Sequence, residues 1–320
     1  MSSEELDLLY HSYFSIITTT DSDSLSTGGA DEQENVFLAS NYSSFTANTV
    51  SSPDIEFDST TGKITAKATG TYLLVFIPSI TIASGGIGID VRIKKNGSTE
   101  VLLENLVAFA ITDPISATCH RILDLTAGDY IELTVSGTGT TAVVAQNGTS
   151  FTMLKANGDY ASLAQSGDGV QGVANTLEVI GDQDLAGSGN IVTNLKNITY
   201  ASGTGLLTPA NTRPFLLLTT LMGESNTTNQ ETSIGIYADG SIIDGGSALI
   251  NKNMDPNEES YGLLKTLTGG ETVSGRYQGG TGAKITTKKG TSFSVFDLSN
   301  NNGAGTPSAF ISFAVAADSD

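Results

Sequence analysis

The 320-residue chain has no tryptophan, one cysteine (Cys119) and two histidines (His11 and His120). A single cysteine forbids an intrachain disulfide and a Cys-based zinc site, and two histidines are too few for a His-cluster metal centre. No metal and no cofactor is therefore expected. Cys119 and His120 are neighbours, and neighbours in a strand point to opposite faces, so they do not form a nucleophile–base pair by themselves. No Walker A loop occurs: "GAKITTKKGTS" has the right letters in the wrong order. No G-x-S-x-G elbow occurs either. Paired carboxylates stay open among 34 acidic residues, but clefts that cleave sugars stack them on aromatic walls, and tryptophan is missing. These shortages argue against an enzyme.

Basic residues are also scarce, 15 against 34 acids, for a net charge of −19. Without clustered Lys and Arg there is no footprint for nucleic acid and no attraction to anionic lipid. No apolar run approaches the ~20 residues that span a bilayer, which excludes membrane insertion by a helix. The opening "MSSEELDLLYHSYF" has no basic stretch followed by an apolar one, so it does not read as a secretory signal, and synthesis in a cytoplasm is expected.

What the chain has in quantity is Gly (36 residues), with long runs of Thr, Ser, Ile and Val, the composition of an all-β protein with many turns. It also repeats itself. "GTSF" stands at 148–151 and again at 290–293, and "LTAGD" (125–129) matches "LTGGE" (267–271). "KKNG" ending at Gly97 matches "YADG" ending at Gly240. "TYLLVF" (71–76) matches "PFLLLT" (214–219), and "IEFDSTTG" (55–62) matches "ITYASGTG" (198–205). Five landmarks in register make this a duplication, and the spacing is long enough for each copy to be a domain.

Within the first copy, "GIGIDVRIKK" (86–95) alternates Ile87, Ile89, Val91 and Ile93 against polar partners, and Asn96-Gly97 supplies a tight turn. "DYIELTV" (129–135) and "GKITAKA" (62–68) alternate in the same way. "YLLVFI" (72–77) and "FLLLTTLM" (215–222) are apolar on both faces. Such strands need cover on their outer side as well, and a symmetry-related copy of the chain is the expected cover.

These residues resemble the C1q/TNF-like jelly-roll family. The matches are Gly70 and Tyr72 opening a buried strand, Leu125, Gly128, Asp129, Ile131 and Leu133 opening another, and Ser150 with Phe151 in the closing strand. The second copy diverges, with Phe215 for Tyr72, Glu271 for Asp129 and Gly275 for Leu133. The resemblance implies two tandem C1q/TNF-like jelly-roll β-sandwiches with a short N-terminal arm, and a homotrimer packed through the inner sheets. Tyr72, Phe76, Tyr130 and Phe151 would then lie near the first axis, and Phe215 and Phe293 near the second. The competing reading places each of these aromatics in its own domain's core. The boundaries expected are 1–34 for an anchoring arm, 35–156 for the first roll, 157–175 for a linker and 176–320 for the second roll.

In the arm, Ser2 and Glu5 have capping-box spacing, and Leu6, Leu9, Tyr10 and Tyr13 fall on one face of a helix of about three turns. So short a helix needs a surface to lie on, either its own trimer or a larger particle. Asp21, Asp23 and Glu32 imitate a calcium loop, but Leu25 and Ser26 occupy positions that need an oxygen donor and a glycine. An acidic loop is the expectation there. A duplicated trimeric roll with an anchoring arm and no catalytic equipment suggests a virion structural protein. The first expectation is a capsid decoration or spike protein of a bacteriophage, on the virion surface, assembled in the host cytoplasm and held to other virion proteins by the arm. The alternative is a tail-fibre or receptor-binding protein that recognises a host glycan through loops 223–233 and 298–307. A surface adhesive protein exported without a cleaved signal is a weaker third reading.

Overall fold

The structure is a computed structural model that describes residues 13–299, apart from 24, 26–32, 52, 83–86, 109–114, 117, 138–142, 187–190, 227–229 and 251–256. Its described residues are nearly all β, with a 3-10 turn at Ala39–Asn41 and a single-turn α-helix at Gln183–Ala186. Two jelly rolls follow one another. In the first, the inner sheet runs in the order Cys119–Leu125, Gly70–Ile77, Ser150–Lys155, Tyr13–Thr18, Ala47–Ser51. Its outer sheet runs Ile55–Asp58, Lys63–Ala66, Tyr130–Gly137, Ile87–Lys95, Ser98–Ala108, with Glu34–Asn35 paired to Tyr130–Gly137.

The second roll repeats this order. Its inner sheet runs Asn257–Leu267, Arg213–Ser225, Ser292–Asp297, Tyr160–Gln165, Ile191–Lys196. Its outer sheet runs Ile198–Ala201, Leu206–Pro209, Val273–Gly279, Gln230–Ala238, Ser241–Ile250, with Glu178–Val179 on Val273–Gly279. The pairings are antiparallel throughout, so one face of each sheet fills the sandwich and the other is free to meet something else.

The repeated letters have a mechanical cause. The glycines that keep register are the ones that need positive φ: Gly62 and Gly205 (both 66°), Gly97 and Gly240 (81° and 80°), Gly128 and Gly270 (96° and 89°), Gly148 and Gly290 (94° and 101°). Side chains rarely adopt this backbone, which fixes glycine at each turn. In GTSF the threonine then ties the turn to a neighbouring strand, Ser79–Ile82 in the first roll and Arg213–Ser225 in the second. The Thr149 hydroxyl donates to the Ser79 carbonyl and accepts from the Ser79 amide, both at 3.1 Å. Thr291 does the same with Met222, at 3.0 and 3.1 Å. Phe151 and Phe293 close the phrase by filling their own sandwiches. The LTAGD and LTGGE turns also share a device, a carboxylate accepting the amide three residues back at 2.8 Å (Asp129 from Thr126, Glu271 from Thr268).

Two boundaries move. Tyr13–Thr18, placed above in the arm, is a strand between Ser150–Lys155 and Ala47–Ser51 that buries Phe14 and Ile16. Tyr160–Gln165, placed above in the linker, is the corresponding strand of the second roll, between Ser292–Asp297 and Ile191–Lys196. Residues beyond it stay attached, with the Gly169 and Gly172 amides on the carbonyls of Thr287 and Ile285. Only 156–159 connect the rolls. The alternation of "YFSIIT" and "YASLAQ" is short and weak, and tertiary pairing overrides it. Leu6, Leu9 and Tyr10 lie outside the described residues, as do Glu32, 300–307 and the tail 308–320.

Gly275 has a packing reason. A Cβ there would meet the Thr219 hydroxyl at 2.7 Å and Phe293 at 3.2 Å. Ile180 bonds to the Gly275 carbonyl at 2.9 Å as Val36 bonds to that of Leu133, at 2.9 Å. Its side chain joins the second core, so the divergent copy keeps the same sandwich.

Candidate functional site: the junction between the rolls

The outer face of each inner sheet is a grid of three rows, set by strand register. In the first roll they are Tyr13, Leu154, Leu73, Ile122; then Ser15, Thr152, Val75, His120; then Ile17, Ser150, Ile77. In the second they are Tyr160, Phe296, Leu216, Leu264; then Ser162, Ser294, Leu218, Gly262; then Ala164, Ser292, Thr220, Ser260. The two grids pack on each other. Leu73, Val75, Ile122 and Leu154 share one apolar cluster with Tyr160, Leu216, Leu218 and Phe296. The apolar outer faces of 72–77 and 215–222 are thus enclosed within one chain. This corrects the expectation that a sister molecule must cover them: the duplication supplies the cover itself.

The packing is lopsided. The Cys119–Leu125 edge of roll one lies across the hydroxyl row of roll two. His120 places Nδ1 3.0 Å from Ser294 Oγ and Nε2 3.1 Å from Ser292 Oγ, and Ser294 Oγ is 3.2 Å from Ser162 Oγ. With both nitrogens engaged by hydroxyls, one donates and the other accepts, which suits neutral imidazole. Burial pushes its pKa down to about 3. Thr220 donates to the Thr118 carbonyl at 3.0 Å and Asn194 to that of Ile122 at 3.4 Å. Cys119, on the opposite face of the strand, belongs to the first core.

Among the described residues the counterparts in the other direction are left exposed. Leu264, counterpart of Ile122, is 44% exposed against 1% for Ile122. Ile17, counterpart of Ala164, is 41% exposed against 7%. Roll one keeps its own hydroxyl row, with Ser15 Oγ 3.4 Å from Thr152 Oγ1.

The six aromatics assigned above to trimer axes do not form that surface. Tyr72, Phe76, Phe151, Phe215 and Phe293 are sealed inside their own sandwiches, because register turns their side chains inward. Tyr130 lies on the outer sheet with the Lys63 ammonium 3.9 Å from its ring centroid. The residues at the junction are their strand neighbours, one position away in a period of two. Of the four named arm residues Tyr13 is the one that is described, and it packs against the apolar cluster of the junction.

Buried carboxylates do occur. Asp159 and Asp297 sit where the second roll begins, with Arg213 Nη1 3.4 Å from Asp297 and Arg213 Nε 3.7 Å from Asp159. Asn197 and Asn211 donate to Asp159 at 2.8 and 3.0 Å, and the Ser299 amide donates to Asp297 at 2.7 Å. Arg213 Nε is left without a hydrogen bond, but the ion pairs and amide donors hold both carboxylates and pin the 156–159 connection; a Cβ on Gly158 would collide with the Asp297 carboxylate. Of the calcium-like residues, Asp21 accepts from the Asn147 amide at 2.7 Å and Asp23 from Ser43 at 2.6 Å. Of the proposed recognition loops, 223–225 and 230–233 are strand.

Where the rolls meet there is also a cleft of about 290 Å³. Glu100, Val101, His120 and Arg121 line it from roll one, Gln165 and Lys289 from roll two. Burial pulls the Arg121 guanidinium below its usual pKa, and Glu100 partly offsets that. Sequence reading missed this site because neither half carries a motif.

No family model matches the sequence, and no curated protein matches it. Solved structures similar to parts of it include the Eiger TNF of S. frugiperda (16% identity, TM-score 0.32, 46% of this chain and 92% of that one). Murine APRIL matches at 15% identity and TM-score 0.32 over 45% and 98% of the two chains. Latent PorU of Porphyromonas gingivalis matches at 11% and 0.25 over 92% and 21%.

Proposed function

We propose that the chain is a non-catalytic structural protein that assembles with further copies of itself, and that its setting is the surface of a virus particle, as a capsid decoration or spike protein. The observation that carries self-assembly is the half-used junction. Roll two offers the edge whose counterpart roll one has already docked, with Leu264 exposed, and roll one offers the part of its face around Ile17 that the junction leaves uncovered. A contact between unlike surfaces, repeated from chain to chain, closes into a ring when its rotation permits. The C1q/TNF-like motifs favour three chains.

The virion setting is supported by the acidity that keeps such a surface soluble, by the near absence of cysteine, and by a repertoire of packing devices without a catalytic constellation among the described residues. The segment ahead of Tyr13 would make the contact to other virion proteins. Purified particles probed with an antibody against the chain test the setting. Label in many symmetric copies over a shell supports decoration. Label confined to a tail tip supports the second reading, a receptor-binding protein, which the cleft at the junction favours. Absence from particles refutes both.

A further inference from the structure

We propose that the cleft between the rolls binds a small organic carboxylate of sugar-acid size, with Arg121 and Lys289 holding its acid group. The two cations come from different rolls, so the site exists only because the rolls have docked. Both are departures from the repeat: the counterpart of Arg121 is Leu263, and that of Lys289, in the turn before the second GTSF, is Asn147. Neither is needed for the sandwich, since the other copy folds without it.

In a chain of net charge −19, cations brought together are ordinarily consumed by carboxylates. Lys288, next in sequence, is consumed in this way, at 3.0 Å from Asp168 and 2.9 Å from Glu224. Arg121 is not. Its Nη1 donates to the Glu100 carbonyl at 2.8 Å, and among the described residues no carboxylate lies within ion-pair distance of it. A half-buried guanidinium held by one backbone bond retains a planar pair of donors, the geometry that matches a carboxylate.

The rest of the lining selects the body of the ligand. Gln165 and the Glu100 carboxylate can take hydroxyls, and Val101 and Ala164 offer an apolar wall. The volume of about 290 Å³ exceeds what a bare anion fills, and falls at the small end of ligand pockets. Glu100 in the lining opposes a dianion more strongly than a monoanion, which argues against a phosphate.

The site does not depend on the assembly or virion reading and is tested on the purified full chain. Calorimetric titrations use glucuronate and N-acetylneuraminate, each against its methyl ester, and inorganic phosphate as the bare anion. Saturable binding of at least one free acid is expected, with about tenfold or greater loss for the ester. Lys289→Gln should weaken binding about tenfold with an unchanged melting temperature, and Arg121→Gln more. If Arg121→Gln does not fold, Lys289→Gln carries the test alone. An oligosaccharide ending in the same acid separates the sources: comparable binding means that terminal acids of glycans are taken, and loss means that only the free acid fits. No saturable binding by either acid, equal binding by the esters or by phosphate, or unaltered binding in Lys289→Gln would overturn the proposal.

Discussion

His120 makes the junction sensitive to acid in a way that can be calculated. Its folded pKa of about 3 lies below the ordinary 6.5, so on acidification the unfolded chain takes up the proton first. The stability His120 contributes is complete above pH 6.5, declines as pH falls, and stops declining below the folded value. Each unit of pH in this window costs at most about 1.4 kcal/mol, so roughly 2 kcal/mol is lost between about pH 6.5 and about 4.5. His120→Gln keeps hydrogen bonds to Ser292 and Ser294 within reach and cannot titrate. Carboxylates titrate in both proteins, so the difference between their stability profiles isolates the imidazole. The assay is urea denaturation followed by far-ultraviolet circular dichroism, since there is no tryptophan. The variant should be the less stable at neutral pH and gain on the wild type by about 2–3 kcal/mol towards pH 4.5. Parallel profiles would refute the burial of a neutral imidazole between the rolls.

Other residues give independent tests. Arg213→Ala strands two buried carboxylates and should cost about 3 kcal/mol, read by the same denaturation. Gly128→Ala and Gly270→Ala should each cost about 1–2 kcal/mol, and equally, since both turns have positive φ and open space around the added methyl. Unequal costs would mean that the two copies do not share a turn. At high dilution, Ile122→Ala should destabilise by about 2–4 kcal/mol while Leu264→Ala stays within about 0.5. Equal losses would deny the lopsided junction.

The sandwich was legible in the sequence because its signals are local. Alternation in "IDVRI" and "YIELTV" put Ile89, Val91, Ile131 and Leu133 in the core, and the repeated glycines fixed turns by φ alone. What the sequence did not announce is non-local. "YFSIIT" and "YASLAQ" become strands through their partners. The two-sided strands announced that a cover was needed but not whose, because hydrophobic burial is non-directional: Leu73 would be as dry against a sister chain as against Leu216. The cleft was harder still, since Arg121 and Lys289 are 168 positions apart and meet only after docking.

The central claim is that the junction inside each chain is continued between chains. Sedimentation or light scattering of the full chain should give a mass that is a multiple of 33.1 kDa, falling to 33.1 kDa in Leu264→Glu, which puts a charge on the free edge while leaving the occupied one untouched. A wild-type protein that stays at 33.1 kDa up to its highest soluble concentration, or an assembly that Leu264→Glu leaves intact, would contradict it.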